Sequence, residues 1–90
     1  MDERLKEAFH KIYEGEAKTA LRLKIFAKKA AQEELPQMAR LFRVIAFSEE
    51  IHGERALRML REIKDTETNL KESFGSETLI NEGLQRFERR

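Results

Sequence analysis

Residues 36–64 read PQMARLFRVIAFSEEIHGERALRMLREIK, and the spacing of their apolar side chains decides the fold. Met38, Leu41, Ile45, Ala56, Met59 and Ile63 recur at intervals that match one face of an amphipathic helix. Phe42, Leu57 and Leu60 widen the stripe. Two polar residues, Glu49 and His52, stand in the row as Glu-x-x-His where the pattern asks for Leu or Ile. A spacing of three places both on one helix face. A carboxylate in an apolar seam is costly unless partnered, and a bound cation is a common partner.

Upstream, Leu5, Phe9, Ile12, Glu16, Ala20, Leu23, Ala27 and Ala30 follow the same period, which predicts a helix over about 2–34. Glu16 interrupts this row as Glu49 interrupts the next. Gly15 should weaken the helix by up to about 1 kcal/mol relative to Ala, and its place beside Glu16 suggests close packing or room for a ligand. Pro36 is the only proline. It suits the first turn of a new helix and disfavours helix at Leu35, so a tight turn is expected at about Glu33 to Pro36. The second helix should run over about 36–64. Turn and cap formers at Asp65 to Asn69 lead to a third, weaker helix over about 70–88, with Leu70, Phe74, Glu77, Leu84 and Phe87 as its stripe and Gly75 and Gly83 interrupting it. No strand signal or dividing linker is present. The expected fold is all-α: one domain over residues 1–90, a long antiparallel hairpin that dimerises into a four-helix bundle, with the third segment packing across it or exchanging between chains.

Composition narrows the function. Lys and Arg total 18 and Asp and Glu 17, a balance that argues against nucleic acid as a partner. The absence of Cys excludes disulfides, thiolate zinc sites, iron–sulfur clusters and thiol catalysis. No apolar run approaches the roughly 20 residues of a membrane span. Met1-Asp2-Glu3-Arg4 lacks the apolar stretch of a secretion signal, so a cytoplasmic location is expected. Ninety residues bury a modest core, which oligomerisation or a metal would reinforce.

In a hairpin closed at Leu35, Glu16 lies 19 residues before the turn and Glu49 and His52 lie 14 and 17 after it, so all three reach similar depth. One chain supplies only these three ligands. A twofold dimer supplies four Glu and two His, the recipe of di-iron and di-manganese carboxylate bundles. The mixed oxygen and nitrogen set suits iron or manganese, with open positions for dioxygen or peroxide. The plainer alternative is a non-catalytic assembly module in which the polar residues only fix helix register. Other residues have plain readings. His10 reads as a surface histidine, Tyr13 as a core or interface aromatic, and Met38 and Met59 as core. Glu50 and Glu54 read as solvent-facing, and Arg22, Lys24, Lys28 and Lys29 as a solvated face with glutamate partners.

Residues 15–60, GEAKTALRLKIFAKKAAQEELPQMARLFRVIAFSEEIHGERALRML, resemble the first half of a rubrerythrin-type, ferritin-like domain. The resemblance rests on Gly15-Glu16, Phe26-Ala27, the run from Ala39 to Phe42, and Glu49 with His52. It continues weakly into Asn69-Leu70 and Glu77, which is similar to the metal-ligand Glu of the family's third helix. The resemblance implies a non-haem di-iron centre that reacts with peroxide or dioxygen, or oxidises ferrous iron, with Glu16, Glu49, His52 and Glu77 as ligands. The departures matter. The second Glu-x-x-His helix and the rubredoxin-like domain are absent, so the site would be completed between chains and electrons would come from an external donor. Leu23 and Ile25 stand where the family often has Tyr, and Ile80 where a further Glu is expected. The half-length design also resembles encapsulated ferritins, which implies iron storage or delivery as cargo of a protein shell.

Overall fold

Asp2 opens the fold by capping the first helix: its carboxylate accepts the Arg4 backbone N–H at 2.8 Å. In the computed structural model, which describes residues 1–75 together with Glu82 and Arg86, α1 spans Glu3–Gln32, α2 Pro36–Met59 and α3 Thr66–Phe74. All regular structure among the described residues is helical, as the sequence period predicts. Beyond Gly75 the expected helix falls outside the described residues except at Glu82 and Arg86.

α1 ends where the sequence places its turn. Leu35 N–H reaches back to the Ala30 carbonyl and Glu34 N–H to that of Ala31, while Glu34 adopts φ 62°. This is a Schellman closure with a left-handed residue just past the helix. Pro36 then starts α2, where its missing N–H costs nothing. α2 stops at Met59, short of the expected Lys64. Glu62 N–H bonds to Leu57 and Arg61 N–H to Arg58, with Arg61 at φ 57°. The same closure forms here without the Gly or Pro that would have announced it.

α1 and α2 pack as an antiparallel hairpin through small residues. Ala20, Ala27 and Ala30 of α1 and Ala39, Ala46, Gly53 and Ala56 of α2 are the buried residues, and no large side chain among the described residues is fully buried. This corrects the expected seam. Met38, Leu41, Ile45, Met59 and Ile63 flank the helix–helix contact and remain 39–51% exposed, so Met38 and Met59 are not core. The alanine row lets the backbones approach, and the larger residues one position round the helix face outward.

α3 stands clear of both long helices and does not pack across the hairpin. It is tied locally: Asn69 donates Nδ2–H to the Lys64 carbonyl at 2.8 Å and accepts the Lys64 N–H at 3.0 Å. Lys64 also pairs with Glu72, and that bond raises the pKa of its ammonium. The Cα radius of gyration is 17.1 Å, against about 12 Å for a compact chain of this length. No helix among the described residues is long and apolar enough to cross a membrane.

Candidate metal centre

Glu16 enters the site from the middle of α1, and Glu49 and His52 enter from the fourth and fifth turns of α2. The antiparallel pairing brings one ligand atom of each within 4.8 Å of the other two. The structure thus assembles the three residues that the sequence singles out. Glu77 and Ile80 lie outside the described residues.

Glu16 and Glu49 are half-buried and His52 is more open. The Glu16 side chain is 25% exposed and that of His52 48%. Glu16 Oε2 is itself buried and finds no hydrogen-bond donor among the described residues. His52 Nδ1 lies 3.5 Å from it without making a hydrogen bond. A buried acceptor left unmade costs about 1–3 kcal/mol. A cation bound between the two carboxylates and the imidazole would remove that cost, so the donor set fits a hard or borderline metal such as iron or manganese.

The packing glycine is not the one the sequence suggests. A Cβ on Gly15 would meet nothing within 4 Å, so Gly15 faces open space. Gly53 is buried against α1, and a Cβ there would lie 3.6 Å from the Glu16 Cβ. Its signal was present as the heptad Ala39, Ala46, Gly53, a row of small residues carrying little hydrophobic weight.

Around the centre, the charged residues are compensated. Lys24 of α1 pairs with Glu50 of α2, and Arg58 with Glu54 at 3.3 Å. His10 is not a lone surface group: its Nε2 lies 3.5 Å from Glu62, joining the start of α1 to the segment after α2. Tyr13 is half-buried and lines a groove that also touches Glu49. On the His52 side, Ile12, Met38 and Ile45 stay between 39 and 45% exposed. Phe26 and Phe42 meet edge-on there at 5.8 Å, joining α1 to α2 near the turn.

Comparison with known proteins agrees with the all-helical fold. The family model described as Rubrerythrin matches residues 3–82. Rubrerythrin-2 of Clostridium acetobutylicum is 35% identical over 69 residues, covering 76% of this chain and 38% of its own length. The chain therefore spans about two fifths of that relative. No solved structure gives a significant match to the chain.

Proposed function

The chain belongs to the rubrerythrin family, and from that premise we propose that it is a non-haem di-iron (or di-manganese) protein whose site is completed between two copies. The carrying observation is the buried, unpartnered Glu16 Oε2 beside Glu49 and His52. Glu16, Glu49 and His52 of each copy would hold the metals, with Glu77 added from the family pattern. Two chains give the four Glu and two His of a di-metal bundle. When bound, the metal pair would supply one electron per ion, two in all, to reduce peroxide or dioxygen, with the electrons restored by an external donor or, in ferroxidase chemistry, taken from ferrous iron itself.

The protein's own contribution is electrostatic and positional. Glu16 and Glu49 offer carboxylate oxygens that compensate metal charge without a conformational search, because both are held between packed helices. His52 ligates only as the neutral imidazole, so loading displaces any proton it carries. Its greater exposure puts it on the face that a partner would cover. Burial by that partner would exclude bulk water and strengthen each metal–carboxylate interaction.

Metal content tests the reading. Loaded anaerobically with ferrous iron, the wild-type protein should retain about two ions per dimer, and the double variant Glu49→Ala/His52→Ala none. Equal iron in both proteins would remove the site. A dimer unchanged by these substitutions in a protein that binds no iron would favour the register-fixing role. Iron-driven assembly far beyond the dimer would favour storage cargo.

A further inference from the structure

Glu49 faces two ways. At about 100° per residue, His52 lies about 60° to one side of it, while Gly53 and Glu50 lie about 40° and 100° to the other. On α1 the same geometry puts Tyr13, Ala17 and Ala20 to the corresponding side of Glu16. Antiparallel pairing brings these two sets together, and they line a groove of about 460 Å³ that reaches Glu49 but not His52. Its walls are mostly apolar, from Ala17, Ala20, Leu21, Gly53 and Leu57. Two further carboxylates at its rim are each compensated, Glu50 by Lys24 and Glu54 by Arg58. Compensated charges leave little field to draw in an ion, and apolar walls do not replace an ion's hydration.

In the proposed dimer a second copy would cover the apolar surface beside His52, which would leave the groove on the opposite side free. We propose that this groove is the route by which a small neutral oxidant, of the dioxygen or hydrogen peroxide class, reaches the site from behind Glu49 in the assembled dimer. The route rests on the di-metal reading above. Ala17 keeps it open, because a larger side chain there would project into it, while Gly53 acts at the helix contact, where its missing Cβ lets α2 lie close to Glu16.

Tyr13 provides a probe, since the chain has one tyrosine and no tryptophan. In the metal-free protein, neutral acrylamide should quench Tyr13 fluorescence more effectively than iodide. Ala17 is exposed on a helix, so Ala17→Leu should fold; Ala17→Met is a second filling variant and Ala17→Ser a size control. Either filling variant should lower the acrylamide quenching constant toward the iodide value. In the iron-loaded dimer it should slow oxidation by dioxygen about tenfold, equivalent to ~1.4 kcal/mol, with anaerobic iron content unchanged. Iodide quenching as strong as acrylamide, or oxidation at the wild-type rate in a variant that shields Tyr13, would overturn the route. A wild-type protein that binds no iron overturns the di-metal reading and the route with it, a result distinct from either groove outcome.

Discussion

Glu16 carries the tension between stability and function. Its buried Oε2 has no donor among the described residues, and an acceptor in that state destabilises a fold by about 1–3 kcal/mol. Glu16→Gln removes the charge, keeps the shape and adds an N–H that can reach Glu49 or His52. The metal-free variant should therefore be more stable than wild type by about 1 kcal/mol. With ferrous iron present the order should invert, because only the wild type gains stability from ligand binding by mass action. Urea unfolding with and without iron reads both. A metal-free variant less stable than wild type would mean that Glu16 already has a structural partner, against the ligand assignment.

At the scale of elements, the two helix ends share one strained device. Glu34 and Arg61 both sit left-handed, at φ 62° and 57°, in Schellman closures. An L-residue there costs about 1–2 kcal/mol, whereas Gly adopts the conformation freely but loses about 0.5–1 kcal/mol more chain entropy on folding. Glu34→Gly should therefore stabilise the hairpin by about 0.5 kcal/mol, seen as a higher urea midpoint at unchanged slope. A lower midpoint would mean that the Glu34 side chain makes a stabilising contact. The contrast between the two ends also explains what the sequence revealed. Pro36 marks the first turn to within a residue, but nothing at Leu60-Arg61 marks the second, so the end of α2 was legible only from the backbone. The three candidate ligands were legible because a polar residue interrupting an apolar row stands out. The helix contact was not, because alanine is a weak signal and the rows through Ala39 and Met38 share one period. Gly53 and the groove behind Glu49 were hidden for the same reason: they consist of what is small.

For the whole molecule, the surplus of exposed apolar surface is the dominant fact. Only alanines and a glycine are buried in the hairpin, while Ile12, Met38, Leu41 and Ile45 are between 39 and 48% exposed. Burial of apolar area is the main favourable term in folding, at about 25 cal/mol per Å². A hairpin with so small a core gains by covering the face beside Glu49 and His52, the face on which the proposed shared site would receive a second set of Glu and His. Ile45 lies on that face, one heptad before His52, and Val44 is rotated about 100° away. Ile45→Arg should leave the single chain helical, because the position is already 39% exposed. In a dimer it would bury an unpaired charge, a cost of several kcal/mol, so the dimer should weaken by about 10²-fold or more. Val44→Arg, at a site 58% exposed, should leave the dimer intact. Sedimentation across a concentration series measures both, and iron content on the same samples should fall with the dimer in Ile45→Arg alone. If iron stays bound to a monomeric Ile45→Arg protein, one chain suffices and the shared site is wrong. If Val44→Arg dissociates while Ile45→Arg does not, the copies meet on the outer face of α2 and the ligands cannot converge.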